Sequence, residues 1–352
     1  MKTEKILILS LLLVLFSSCF KDIEQENEVL YSEKGLYVLC EGTGSDNNAT
    51  LSYFSFKDSV CVADYFKGGL GKNANDMIRV GARLYIAVTE SACVWVVDMT
   101  DGEGIKRISL TDSQGNNRKP RRLTSFGDCV YVSCWDGTVV KISVLNNEVV
   151  DVCSTHGEYP EGIAVAGNKI YVANSGGMNY PNYDSTVAVI DLANFQWEKN
   201  IKVMSNPQTL KSYKDKVYVL STGDYFVTPQ LSVIRDGATE KVISRNIVDF
   251  DFSDNRMYFF YTGAFVNPSA NKDFNLSFLD LDNLDALPVV LHQNTVEGMV
   301  MPYHINIEDG TIYVSDRKLS STSGEIFALD KDGNLLYKFP VLYNPSKVLK
   351  KD

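Results

Sequence analysis

From residue 35 onward the chain is a succession of short apolar runs separated by polar turns, and one run keeps returning in recognisable form. Its copies are Gly35-Leu36-Tyr37-Val38, Arg83-Leu84-Tyr85-Ile86, Cys129-Val130-Tyr131-Val132, Lys169-Ile170-Tyr171-Val172, Lys216-Val217-Tyr218-Val219, Arg256-Met257-Tyr258-Phe259 and Thr311-Ile312-Tyr313-Val314. The tyrosines lie 40 to 55 residues apart. Ahead of each tyrosine strand stands a short strand closed by a tight turn, as in Ile163-Ala164-Val165-Ala166-Gly167-Asn168. Behind it come a strand ending in a polar residue, Val187-Ala188-Val189-Ile190-Asp191, and a more variable one, Lys199-Asn200-Ile201-Lys202-Val203. Four antiparallel strands recurring at this period predict a propeller blade. Seven units predict an all-β, seven-bladed β-propeller of four antiparallel strands per blade over residues 35–352.

The first unit lacks the strand that should precede its tyrosine. The C-terminal segment Asn344-Pro345-Ser346-Lys347-Val348-Leu349 matches the inner strand opening Asn206-Pro207-Gln208-Thr209-Leu210. It is therefore expected to pair with the N-terminal blade, closing the ring and removing an exposed edge. Meander topology then sorts the loops into two faces. Turns such as Gly127-Asp128, Gly167-Asn168 and Asp254-Asn255 make one face minimal. The other carries long loops at 42–48, 175–185, 222–229, 262–274 and 317–324, with Tyr180, Tyr183, Tyr225, Phe226 and Phe265 among them. Tight turns need only two to five residues, so long loops bearing aromatics point to binding; the alternative is that the rings merely hold the loops down.

Ahead of the propeller, residues 1–18 have the form of a signal peptide: Lys2 and Lys5, an apolar run from Ile6 to Phe16, then Ser17-Ser18-Cys19. The run is too short for a transmembrane helix, which needs roughly 18 to 20 apolar residues. Cys19 stands where a lipidated cysteine would begin the mature chain, and residues 19–34 read as an acidic tether. The expected location is the outer membrane, lipid-anchored and facing the exterior, with the membrane met through that anchor only.

Composition narrows the function. With 34 Lys+Arg against 44 Asp+Glu the chain carries a net charge of −10, which argues against nucleic acid as a partner. The cluster Arg118-Lys119-Pro120-Arg121-Arg122 is the exception, suited to an anionic group of a ligand or to a neighbouring acidic loop. Cysteines 40, 61, 93, 129, 134 and 153 fall in apolar runs without a CxxC pair, so they are expected as unpaired core thiols, although an even number in an exported chain also permits disulfides.

The channel mouth on the elaborate face should be lined by the first residues of the inner strands: Asn75 and Asp76, Arg121 and Arg122, Tyr159 and Glu161, Gln208, Tyr303 and His304, and Ser346. The ends of the tyrosine strands add Glu41, Glu90 and Trp135, and a loop adds Arg317. Stacking surface, amides and both charges together suit a large polar ligand. No catalytic set stands out. There is no G-x-S-x-G elbow and no Walker or dinucleotide motif, and His156, His292 and His304 fall in different units. The expectation is a protein that is not an enzyme and needs neither cofactor nor metal. Two alternatives remain open. One is a protein-interaction scaffold of the envelope; the other is a metal-dependent lactonase-like enzyme using Glu41, Asp76, Glu90 and Glu161, which needs those acids to converge.

Some segments are familiar as words. Glu158-Tyr159-Pro160-Glu161-Gly162-Ile163-Ala164-Val165, Lys169-Ile170-Tyr171-Val172-Ala173-Asn174-Ser175-Gly176-Gly177 and Ser185-Thr186-Val187-Ala188-Val189-Ile190-Asp191 resemble YncE-like, YVTN-repeat propellers, over all seven units. More narrowly, the lipobox with its acidic tether, Tyr37-Val38-Leu39-Cys40-Glu41-Gly42 with Asn47-Asn48-Ala49-Thr50, and Asn179-Tyr180-Pro181-Asn182-Tyr183-Asp184 resemble the BtuG-type cobalamin-binding lipoproteins of Bacteroides-type outer membranes. Cys40 stands where Asn commonly precedes Glu-Gly in that group. The resemblance implies capture of cobalamin or a related corrinoid on the loop-rich face and delivery to a TonB-dependent outer-membrane transporter.

Overall fold

A computed structural model of the chain describes residues 34–224, 226–262, 274–293, 296, 298–319 and 322–352. The expected signal peptide, Cys19 and nearly all of the tether lie outside them, as do Tyr225 and Phe265. Among the described residues 28 strands, β1 to β28 in chain order, form seven four-stranded antiparallel sheets. The inner strands are β28 (Pro345–Lys351), β4 (Ala74–Val80), β8 (Pro120–Phe126), β12 (Pro160–Ala166), β16 (Pro207–Tyr213), β20 (Asp249–Ser253) and β24 (Pro302–Glu308). Each touches the next around a circle, and β24 meets β28 to complete it. This is the expected seven-bladed propeller.

Ring closure uses the C-terminus as its residues suggested. Strand β28 pairs antiparallel with β1 (Gly35–Cys40), Tyr37 opposite Leu349 and Val38 opposite Val348, making the inner strand of blade 1. Both partners thereby lose a row of unpaired backbone groups.

The tyrosine strands are buried on both faces, as in β1 and in β13 (Lys169–Asn174), because each lies between flanking strands and between neighbouring blades. The outermost strands, such as β11 (Glu148–Ser154), are mostly exposed and therefore more variable. The recurrence of tyrosine rather than phenylalanine has a physical cause. Tyr37 donates its hydroxyl to the Met99 carbonyl at 2.5 Å, and Tyr85 donates to Asn147 Oδ1 at 2.6 Å. Tyr171 accepts the Gly237 N–H at 3.0 Å. Each reaches the outer turn of the next blade, so one side chain fills its own core and closes the junction. Burial raises the Tyr131 and Tyr218 hydroxyls to about 12. Cysteines 40, 61, 93, 129, 134 and 153 are free thiols; burial raises Cys61 and Cys93 to about 11 and Cys40 to about 12.

Candidate functional site

What aims side chains into the channel mouth is a repeated backbone irregularity. Six inner strands carry a register shift at their first residues: Ala74/Asp76, Pro120/Leu123, Pro160/Ile163, Pro207/Thr209, Pro302/His304 and Pro345/Lys347. A β-bulge re-aims the residues it contains. Proline is tolerated at the first strand position, where the N–H it lacks would not enter the ladder. The residue before the strand is often left-handed, including Asn73 (φ 61°), Lys119 (56°), Tyr159 (48°) and Asn206 (58°). An amide released by the bulge finds a serine on the tyrosine strand: Arg122 N donates to Ser133 Oγ at 3.1 Å, and His304 N to Ser315 Oγ at 3.0 Å.

The bulges surround a cavity of about 640 Å³ on the long-loop face. Of the expected residues, Glu41, Asn75, Arg121, Arg122, Glu161, Gln208, Phe226, Tyr303 and His304 line it. Blade 6, where the sequence reading named only Phe265, contributes Asn246, Ile247 and Val248 ahead of β20, and Tyr261 at the end of its tyrosine strand. The rule that found Asn75 and Arg121, first residues of an inner strand, also covers this crossing. Beneath the mouth a second cavity of about 290 Å³ runs down the channel, sharing Arg122, Gln208, Thr209 and His304 with the first.

Arg121 is the centre of a tight polar group. Its Nε is 3.1 Å from both oxygens of Glu161, and Nη1 donates to Asn75 Oδ1 at 2.7 Å. Its guanidinium lies 4.2 Å from the Trp135 ring centroid, and Trp135 Nε1 donates to Glu161 Oε1 at 2.8 Å. Tyr159 braces Trp135 edge-on at 6.0 Å. Trp135 and Tyr159 thus support Arg121 and do not border the cavity. Beside this group the partly buried Arg122 donates to the Asn75 carbonyl at 2.5 Å. Burial opposes its charge, but Asp76, Glu161 and Glu41 outweigh that and raise its pKa.

The basic cluster finds its acids within the chain. Arg118 pairs with Asp136 at 2.6 Å, Lys119 with Glu90 at 3.2 Å, and Arg121 with Glu161. The neighbouring acidic groups expected from sequence are therefore in place. Glu90 accordingly sits beside Lys119, outside the cavity lining. Asp76 has another task, accepting the Leu123 N–H of the next inner strand at 2.8 Å. Asp251 does the same for Ile307 at 3.0 Å, and Asn306 for Val348 at 3.0 Å. Inner strands diverge from neighbouring blades and cannot form a continuous ladder, so carboxylates and amides stitch them around the channel. The four acids of the lactonase alternative are divided among these partners. Among the described residues no group of three or more His, Cys, Asp or Glu side chains is placed to hold a metal ion.

On the opposite wall Asp249, 6% exposed, accepts from His304 Nδ1 at 3.0 Å and Ile305 N at 3.2 Å, with Lys211 Nζ 4.0 Å away. Burial would raise its pKa; Lys211 and His304 overcome that and hold the carboxyl far below the usual range. Lys211, which the sequence reading missed, also lies 3.5 Å from Asp251 and donates to the Phe250 carbonyl. The Tyr303 ring packs at a tilt against His304 with ring centroids 4.2 Å apart, and its hydroxyl donates to Glu41 Oε2 at 3.1 Å. Arg317 lies over the Tyr303 ring at 4.9 Å. Tyr180 and Tyr183 meet edge-on at 6.0 Å in their loop, beyond the cavity lining, and Tyr180 is 71% exposed.

Neither a protein-family model nor a curated protein matches the chain. Solved structures do. A structure described as a putative 6-phosphogluconolactonase from Bacteroides fragilis aligns with TM-score 0.65 at 14% identity, covering 91% of this chain and 98% of that one. A second so described, from Bacteroides uniformis, aligns with TM-score 0.64 at 12% identity, over 91% and 100%. A quinoprotein alcohol dehydrogenase-like protein from Bacteroides thetaiotaomicron gives 0.64 at 15%, over 91% and 78%. Likeness at this identity establishes the fold alone.

Proposed function

We propose that the protein captures a large polar small molecule at the long-loop mouth of its channel without transforming it, and that a corrinoid such as cobalamin is the ligand. The observation that carries this is the mouth itself: a cavity of about 640 Å³ lined by paired charges, amides and hydroxyls, with Phe226 on its rim. Arg121 and Arg122 are balanced by Glu41 and Glu161 there, so the lining carries no net formal charge and suits a guest that is neutral overall. Cyanocobalamin is neutral overall and fringed with primary amides, which match such a lining. Among the lining charges Arg121 and Glu161 are engaged with one another, Arg122 with the Asn75 carbonyl and Glu41 with Tyr303, an arrangement for recognition more than for proton transfer.

The test is calorimetric titration of the protein with cyanocobalamin, compared with Phe226→Ala. Phe226 is 84% exposed, so truncating it spares the fold. One-to-one binding, weakened severalfold by the substitution, is expected; absence of heat and of any thermal shift would overturn the reading.

Anchoring through Cys19 on the outer face of the outer membrane, and transfer to a TonB-dependent transporter, complete this reading. A second reading, a protein-docking propeller, draws on the exposed Met178, Tyr180, Phe226 and Leu319, which share this face. In that case the protein would bind its partner with the mouth empty.

A further inference from the structure

Within the mouth two side-chain atoms stand out by having nothing to bond. Glu41 Oε1 and His304 Nε2 are buried and have no hydrogen-bond partner among the described residues. Both residues line the mouth cavity, and Tyr303 touches each, bonded to Glu41 through Oε2 and packed at a tilt against the His304 ring. Their other polar atoms are spoken for: Tyr303 donates to Glu41 Oε2, and His304 Nδ1 faces Asp249 Oδ2 at 3.0 Å. Asp249 is held ionised by Lys211 and can only accept, so Nδ1 carries the proton of that bond. In the neutral ring Nε2 is then an acceptor, as Glu41 Oε1 always is when ionised. Leaving such atoms buried and unpaired is costly, and native proteins do it rarely.

We propose that Glu41 Oε1 and His304 Nε2 form an acceptor pair that recognises N–H donors of the bound molecule, selecting primary amides over their ester counterparts. This rests on the capture reading and deepens it by naming what the mouth reads. The lining cations favour the same choice. Arg121 and Arg122 already have acceptors in Glu161 and Asn75, whereas these two acceptors lack donors. A ligand that supplies N–H groups completes the set; one offering only oxygen acceptors leaves both atoms unpaired. Ester and amide differ little in size, so the discrimination comes from hydrogen bonding, where an unmet buried acceptor rejects the wrong group more strongly than shape does.

Perturbing the ligand leaves the fold of the channel untouched. The protein is titrated with dicyanocobinamide, whose side chains are amides, and with dicyanocobyrinic acid heptamethyl ester, whose side chains are methyl esters. The ester is expected to bind about tenfold to a hundredfold more weakly, the value of hydrogen bonds to charged and buried acceptors. Equal affinity would overturn the acceptor pair and leave corrinoid capture standing. If neither corrinoid binds, the capture reading as written falls, and a smaller matched pair decides the subsite. Propionamide and methyl propionate at millimolar concentration are followed by the NMR shifts of the His304 ring, assigned against His156→Asn and His292→Asn. A shift with the amide alone sustains the acceptor pair; silence from both, or equal shifts, refutes it.

Discussion

Asp249→Ala would remove the anchor of one wall of the channel. The carboxylate is 6% exposed, lies 4.0 Å from Lys211 and serves His304 Nδ1 at 3.0 Å, Ile305 N at 3.2 Å and Phe250 N at 2.9 Å. Truncation orphans those donors and takes from Lys211 one of its two acids, leaving Asp251 at 3.5 Å. Orphaned buried donors cost about 1–3 kcal/mol each, and breaking a buried ion pair about 3–5 kcal/mol in all. The terms overlap, so a loss of about 4 kcal/mol is expected, a large part of a typical 5–15 kcal/mol stability. Asp249→Asn keeps an acceptor but not the charge, and should lose about 1–2 kcal/mol. The assay is urea denaturation at pH 7, with the midpoint shift multiplied by the slope. The pH dependence carries a sign of its own. The folded carboxyl titrates below its unfolded value of about 3.9, so its stabilisation is complete above roughly pH 5. That stabilisation is lost as pH falls toward the folded value. The gap between wild type and Asp249→Asn should therefore narrow from pH 5 to pH 3. A loss under about 1 kcal/mol for Asp249→Ala at pH 7, or a gap that widens in acid, would refute the assignment.

Tyr85→Phe should cost about 1–2 kcal/mol in thermal unfolding, because Asn147 Oδ1 loses its donor across the blade 2 to blade 3 junction; no change would show that the tyrosine is kept for its ring alone. Removal of residues 345–352 strips blade 1 of its inner strand, and faster limited proteolysis with a lower melting temperature is expected; unaltered protease resistance would count against closure by this strand. Arg121→Met leaves Glu161, whose side chain is 13% exposed, without its countercharge, and should destabilise by about 3 kcal/mol, while Arg121→Met/Glu161→Leu should recover most of that in denaturant melts. Failure of the double variant to recover would show that Arg121 acts through Asn75 and Trp135 more than through the ion pair.

The repeat of Tyr37, Tyr85, Tyr131, Tyr171, Tyr218, Tyr258 and Tyr313 made the blade count and strand order legible before any coordinates, and the match of Asn344-Pro345 to Asn206-Pro207 made the closure legible too. These are local patterns: a strand buried on both faces must be apolar along its length, and a closing strand must look like the strands it imitates. Most mouth residues followed from the same rule, since the first residues of an inner strand point into the channel wherever they occur. Sequence could not say which charges meet. Arg121 and Glu161 are 40 residues apart, and Asp249 and His304 are 55 apart, joined because adjacent blades bring their inner strands side by side. Nor could it separate Trp135 and Tyr159, which prop up Arg121, from Tyr303 and Phe226, which border the cavity. A pattern along the chain determines what each strand is, whereas partners across a junction depend on the rotation between blades, which only the closed ring decides.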